Sequence, residues 1–338
     1  MEQIPRKFLI LKLIVEEFIK TAHPVGSNTL IEQYQLDYSS ATVRNEMFSL
    51  EEEGYIEKPH TSAGRVPSIK GYRYYIEHLR SDDRAKSIKS KIKNFIEDHA
   101  TTMHTDQIID ECCQIISDMT NLVSVPDGSQ EKIAKVELIR LNSSTAIVIF
   151  VTDSGYVEHK TINIPSGSKI EELEDCVKII NKRIIGITLN DTDVALKSIQ
   201  LVLSEHIKNY QAVYNAFAHA FLKFASERIS YYGKNNLLSQ KDFADIQKMK
   251  KVAKILEDTN IWKSFDNEYE GINVSIGNEN HVTDLEDISI VSTKLKLSNS
   301  NSGTIAVIGP TRMDYSQVMD ALEFLSNSID ELVNKKEK

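Results

Sequence analysis

Cysteine is scarce in this chain: only Cys112, Cys113 and Cys176 occur among 338 residues. An odd and low cysteine count indicates a reducing compartment and excludes a scaffold held by disulfides. No stretch approaches the roughly 18 consecutive apolar residues that a membrane helix needs. The N-terminal residues lack the apolar segment of a signal peptide. We therefore expect a cytoplasmic protein that does not enter a membrane.

The signature motifs of common catalytic families are also missing. The sequence contains no G-x-x-x-x-G-K-[ST], G-x-G-x-x-G, H-E-x-x-H or G-x-S-x-G pattern. Its histidines are scattered, and His99 and His104 lack cysteine or carboxylate companions at the spacing of metal ligands. We therefore expect no enzyme, no cofactor and no metal. A hydrophobic fraction of 41% and a charged fraction of 26% are ordinary for a globular protein and exclude wholesale disorder.

Charge is unevenly distributed along the chain. The net charge is −9, which taken alone disfavours nucleic acid as a partner. Residues 58–94, however, hold ten basic and three acidic side chains, a local balance of +7, whereas residues 95–338 have a balance of −11. Such asymmetry is typical of a basic DNA-facing module on an acidic body, although a solvated helix face would give the same count.

The first 80 residues have the pattern of a winged helix-turn-helix. Helical periodicity over residues 6–21 is broken around Pro24, and Ser27 can cap a short second helix ending near Tyr34. Ser39 or Ser40 can cap a third helix that runs to about Glu53. After this helix come a strand-like piece, a polar loop with Gly and Pro, and a fourth helix that Ser68 can cap. This order is that of the winged-helix motif.

The start of the third helix supplies candidate base contacts, because this part of the motif enters the major groove. Arg44 can bond guanine bidentately and Asn45 can bond adenine, while Ser40 and Thr42 suit phosphate contacts. The polar loop over residues 58–65 suits a wing along the DNA backbone. The alternative is an N-capped, solvated helix and an ordinary turn. The predicted DNA-binding residues are Ser39, Ser40, Thr42, Arg44, Asn45, Lys58, His60, Thr61, Ser62, Arg65 and Arg73.

Residues 81–121 are predicted to be helical throughout, and a β-rich part follows. Strand-like runs at 133–141, 146–151 and 156–164 precede a mainly helical block over 168–257. Further strand candidates at 272–276, 288–297 and 304–308 lead to a final amphipathic helix. Strands on both sides of a helical block indicate a mixed α+β domain that an insertion interrupts.

One aromatic stripe has two interpretations. Its residues step by four, three, four and three, the 3.5-residue repeat of two helices packed nearly parallel. The stripe is either an internal core seam or a homodimer interface. Context favours the interface, since helix-turn-helix repressors bind two half-sites as symmetric dimers. Its members are Tyr210, Tyr214, Phe217, Phe221 and Phe224.

Several long motifs resemble those of the HrcA family of heat-inducible transcription repressors. They are S-A-T-V-R-N-E-M at residues 40–47, K-P-H-T-S-A-G-R-V-P at 58–67, and G-T-I-A-V-I-G-P-T-R-M-D-Y at 303–315. The resemblance covers nearly the whole chain and is weakest over 169–201. It implies a winged-helix domain with a connecting helix at 1–100, a GAF-like mixed α/β domain in two segments at 101–167 and 246–338, and a mainly helical dimerisation domain inserted at 168–245.

The same resemblance implies a function. Members of the family repress chaperone operons of the groE and dnaK type by binding the inverted repeat CIRCE as homodimers. Heat relieves the repression, and the chaperonin GroEL keeps the repressor active. Double-stranded DNA and GroEL are therefore the expected partners. The rival hypothesis is a transcription regulator that senses a metabolite through the GAF-like domain.

Overall fold

The structure is a computed structural model that divides into two units. Unit 1 comprises Met1–Val125, Tyr231–Leu295 and Thr304–Lys338, and unit 2 comprises Pro126–Ser230 and Lys296–Gly303. The residues described are 4–59, 64–80, 84–127, 132–153, 155, 157–164, 170–188, 192–206, 210–226, 231–257, 271–279, 286–297 and 302–336. The α+β class predicted from the sequence is confirmed.

The N-terminal part of unit 1 has the predicted helix and strand order. A buried apolar core that includes Ile14, Leu30, Val43 and Leu50 holds its first three helices together. The two short strands pair antiparallel, with Ile56 opposite Pro67. The elements are α1 Arg6–Thr21, α2 Ser27–Tyr34, α3 Ser40–Glu52, β1 Ile56–Glu57, β2 Val66–Pro67, and α4 Ile69–Tyr74, which continues as a π-helical turn over Tyr75–Leu79.

The region after the winged helix is not one continuous helix. Helix α5 spans Lys86–His99, and α6 spans Thr105–Thr120. The prediction of unbroken helix was therefore wrong. At the break, the His104 backbone N–H donates to the Gln107 side chain at 3.3 Å, so a new helix start competes with continuation of the old helix.

The rest of unit 1 contains a four-stranded sheet with helices around it. The strands of this sheet follow in the order β3-β9-β8-β7, with the bounds given below. Every residue from Gly303 to Pro310 is buried, which explains the long apolar run there, since a strand covered on both faces has no polar side. The final helix buries Val318, Leu322 and Leu325. The elements are β3 Val123–Asp127, α10 Lys234–Leu238, a 3₁₀ turn Lys241–Phe243, α11 Ile246–Glu257, β7 Ile272–Ser275, β8 Ile288–Lys296, β9 Ser302–Pro310 and α12 Tyr315–Lys336.

Unit 2 is a three-stranded antiparallel sheet covered on one face by helices. Its strands follow in the order β4-β5-β6. Their inner side chains share one core with the helices. From the sequence we assigned these strands to the first GAF-like segment, which ends before residue 168, and the helices that follow to a separate inserted domain. In the structure, unit 2 begins at Pro126 and contains both the strands and these helices. The exact domain boundaries stay a prediction. The elements are β4 Ile133–Arg140, β5 Thr145–Thr152, β6 Val157–Asn163, α7 Ile170–Ile184, α8 Thr192–His206 and α9 Tyr210–Ser226.

The aromatic stripe on α9 lies inside unit 2. Phe217, Phe221 and Phe224 are almost fully buried within the single chain, with their ring centroids 5.8, 5.6 and 4.8 Å from that of Phe150 on β5. Rings buried in this way have no surface left for a second copy, so the assignment of these three phenylalanines to a dimer interface is corrected to an internal core. Tyr214 packs half-buried against the same cluster. The side chain of Tyr210 lies outside the described residues.

None of the described helices has the length and apolarity required to cross a membrane.

Replacing Phe221 by Ala should destabilise the chain by about 3–5 kcal/mol, because the change leaves a cavity between α9 and β5. Urea unfolding followed by circular dichroism measures this change. The matched control is Ile185→Ala, since Ile185 is 51% exposed and its loss should cost little. Equal stability of the two variants would contradict an internal role for the stripe.

Candidate nucleic-acid interface

The junction of α2 and α3 is held by short polar side chains. Ser39 is the N-cap of α3 and accepts a hydrogen bond from the Thr42 backbone N–H at 3.1 Å. The Ser39 and Thr42 hydroxyls lie 2.8 Å apart. Ser40 donates to Asn28 on α2 at 2.9 Å. These predicted site residues thus cap α3 and connect its start to α2.

The outer face of α3 carries the predicted base-reading side chains. Val43, Met47 and Leu50 are buried, whereas Arg44 and Asn45 are exposed on the opposite side. Neither Arg44 nor Asn45 has a side-chain partner within the part of the chain that the structure describes. Both side chains are therefore free to reach an external acceptor.

Sequence reasoning missed one residue on this face. Phe48 is 57% exposed and follows Arg44 by four residues and Asn45 by three. That spacing places the three side chains together on an α-helix. The sequence does indicate this residue, because Phe48 is out of phase with Val43, Met47 and Leu50, the buried positions of α3.

Two of the three acidic residues of α3, and Glu53 at its C-cap, are paired with neighbouring elements. Glu46 accepts from Arg6 at 2.7 Å, and Glu53 pairs with Lys7 at 2.8 Å, so α1 pairs with two of the carboxylates. Glu51 pairs with Arg65 next to β2 at 2.6 Å. Without partners, these carboxylates would repel DNA phosphates. Their ion pairs offset the negative charge and also hold α3 against α1 and Arg65.

Arg65 is placed at the base of the wing and not at its tip. Its side chain is occupied by Glu51, and its backbone pairs with Val25 through two hydrogen bonds of 2.8 Å. A side chain at neighbouring Gly64 would lie 2.6 Å from the Val25 carbonyl, so this close approach requires glycine. The structure thus gives Arg65 an anchoring role where a phosphate contact was predicted.

Lys58 is exposed and has no side-chain partner among the described residues. His60, Thr61 and Ser62 lie outside the described residues.

Arg73 faces the body of unit 1. Its guanidinium forms an ion pair with Glu279 and donates to the Val274 carbonyl at 2.9 Å. These donors are therefore already occupied, and the predicted contact of Arg73 with DNA is corrected to a contact between α4 and the β7 region.

The remaining arginines of the basic segment are paired in the same way. Arg80 lies 3.4 Å from Asp320, and Arg84 pairs with Glu16 and, at 3.3 Å, with Asp314. The acids all come from outside residues 58–94. The local balance of +7 therefore overstates the charge that this segment presents to DNA.

A cavity of about 140 Å³ lies in unit 1, lined in part by Ile19, Thr120 and Gln317. It bears on the rival hypothesis of metabolite sensing. Its one arginine, Arg312, already binds Asp242 at 2.7 Å, so that charge is not available to an anionic ligand.

Comparison with known proteins identifies the family. The family model described as the HrcA protein C-terminal domain matches residues 106–319. The heat-inducible transcription repressor HrcA of Halalkalibacterium halodurans is 38% identical over 335 residues, covering 97% of each chain. The HrcA of Listeria monocytogenes serotype 4a is 33% identical over 336 residues, covering 98% of this chain and 97% of the relative.

A solved structure supports the fold. The crystal structure of a hypothetical protein covers 99% of both chains with a TM-score of 0.60 at 23% identity. Neither the family model nor the relatives indicate an enzyme. The family resemblance found in the sequence is confirmed, and the chain belongs to the HrcA family of heat-inducible transcription repressors.

Proposed function

We propose that the chain represses transcription by binding an operator with α3 in the major groove of double-stranded DNA. The observation that carries the proposal is the outer face of α3, where Arg44 and Asn45 are exposed while the acids beside them are paired. Arginine and asparagine read guanine and adenine through bidentate hydrogen bonds. Lys58 on the wing would add a contact to phosphate.

The proposed operator is the inverted repeat CIRCE upstream of chaperone operons of the groE and dnaK type. The support is the family, because its relatives bear the name heat-inducible transcription repressor. An inverted repeat has two-fold symmetry, so two copies of the chain would each read one half-site. The repressor would act in the cytoplasm.

We propose that the homodimer contact lies on the outer face of the unit 2 sheet. Strand β5 is apolar on both sides: Val148 and Phe150 point into the core, while Ile147 and Ile149 point outward and are half-buried. Ile139, opposite Ile147, and Val157 on β6 extend this apolar surface, at 46% and 58% exposure. An antiparallel sheet with one free face normally carries polar residues there, as Glu137 and His159 on either side of Ile149 do here. The apolar patch among them indicates a protein partner.

Heat would relieve repression by opening unit 2, whose own core consists of three strands and three helices. Loss of that core would disrupt the sheet and so the dimer contact. GroEL would support the active form by returning opened chains to the folded state. Operator binding after a heat pulse, with and without GroEL, tests that role; equal recovery would remove GroEL from the proposal.

Replacing Arg44 by Ala should weaken operator binding by about 1–3 kcal/mol and reduce discrimination against random DNA, because a base contact is lost. Fluorescence anisotropy at several salt concentrations measures both effects. Arg140→Ala is the matched control, since it removes an exposed arginine from unit 2. Wild-type specificity in the Arg44→Ala variant would reject α3 as the reading element.

Replacing Ile149 by Lys should convert the dimer to monomers, because a charge would be buried on the outer sheet face. Analytical ultracentrifugation measures the mass. Ile185→Lys places the same charge on an exposed isoleucine outside that face and should leave the dimer intact. A dimer that persists in the Ile149→Lys variant shows that the copies meet elsewhere.

The reactivity of the three cysteines towards a thiol reagent should show which unit unfolds first on heating. Burial raises the pKa of Cys112 in unit 1 and of Cys176 in unit 2 to about 12, and it raises that of Cys113 as well. Thiolate is the reactive form, so a thiol reagent at pH 8 should modify the native chain very slowly. Opening restores an ordinary thiol pKa near 8.5 and gives access to the reagent.

We expect Cys176 to react first, at the temperature where operator binding is lost. Mass spectrometry of the labelled peptides identifies the site. Earlier labelling of Cys112 and Cys113 would show instead that unit 1 opens first.

A further inference from the structure

The most unusual side chain on the outer face of α3 is Phe48. It is 57% exposed and contributes little to the core formed by Val43, Met47 and Leu50. A single exposed apolar residue is common on protein surfaces, so it is the position of Phe48 beside Arg44 and Asn45, together with its exposure, that makes it informative.

Position on the helix points to the partner. Phe48 lies one turn beyond Arg44 and Asn45, at an angle between them, so whatever these two residues contact also faces Phe48. It lies about 6 Å further along the helix axis than Arg44, which exceeds the 3.4 Å spacing of base pairs. The two side chains would therefore face different base pairs of one half-site.

The charges around Phe48 favour DNA. Glu46 and Glu51 are neutralised by Arg6 and Arg65, while Arg44 keeps its positive charge. Exposed Glu52, one turn beyond Phe48, ends the favourable surface. Phe48 is thus the last side chain on this face that DNA can approach without meeting an unpaired carboxylate.

We propose that Phe48 is a specificity-determining residue that contacts the 5-methyl group of a thymine in the major groove of each half-site. The inference rests on the proposed function, because it requires α3 to lie in the groove. The major groove presents one apolar group on its base edges, the thymine methyl, and aromatic or small apolar side chains are its usual contacts. Phe48 would add a thymine preference beside the bases that Arg44 and Asn45 read.

The test replaces each thymine of an inverted-repeat CIRCE duplex in turn by deoxyuridine, which lacks only the methyl group. For the wild-type chain, one thymine position in each half-site should be sensitive. A single replacement at that position should lower affinity about four-fold, which corresponds to the free energy of burying one methyl group at 25 °C. Phe48→Ala should bind the unmodified duplex more weakly by a similar or larger factor and should not respond to deoxyuridine at that position. Fluorescence anisotropy measures both affinities.

The variant is expected to fold, since Phe48 is exposed and Ala is the better helix former; an unchanged thermal melt verifies this. Ile246→Ala, which removes another exposed apolar side chain, on α11, should retain the full response to deoxyuridine.

Wild-type affinity in Phe48→Ala would overturn the inference and assign the exposed ring to a protein partner. Weaker binding with an unchanged response to deoxyuridine would also overturn it. Failure of the proposed function is a separate result: the wild-type chain would not prefer the inverted repeat over a scrambled duplex, and Arg44→Ala would change nothing. In that case the inference about Phe48 falls as well.

Discussion

The buried carboxylate of Glu16 on α1 is the constraint on which the arrangement of unit 1 depends. A buried charge is costly unless ionic and hydrogen-bonding partners surround it. Arg84 supplies the ion pair, and the Tyr75 hydroxyl lies 3.4 Å away. Tyr75 also reaches Ser316 on α12 at 3.3 Å. These contacts connect α1 of the winged helix to α12, the final helix of unit 1. Because α3 packs on α1, its position relative to the sheet of unit 1 is fixed as well.

Placement of charge, more than its amount, determines which surface can meet DNA. The arginines of residues 58–94 pair with acids from outside that segment. Glu46 and Glu51 of α3 pair with Arg6 on α1 and Arg65 beside β2. The small surface left around Arg44 carries most of the proposed recognition. A chain with a net charge of −9 can therefore present a local face that accepts phosphate without being basic as a whole.

Local features were predictable, and distant ones were not. The bounds of α1 and the Ser39 cap follow from periodicity and capping within a few residues. The partner of Arg73 is 206 residues away, and no local pattern indicates it. The 3.5-residue repeat of α9 describes any close helix seam, so it could not distinguish an internal contact with Phe150 from a contact with a second copy. Phe48 could have been found from the sequence, because it is out of phase with Val43, Met47 and Leu50, the buried positions of α3.

The apolar run of β5 has a consequence for solubility. Residues 146–151 are β-branched, aromatic or small, with no charge, proline or glycine, which is the composition of segments that stack into aggregates. In the proposed dimer, the outward side of that segment would be covered by the second copy. A chain that lost its partner on heating would expose the outward side of the segment and would compete with other unfolding proteins for any chaperone that binds apolar strands. The loss of repression and the demand for chaperones would then arise from the same exposed strand.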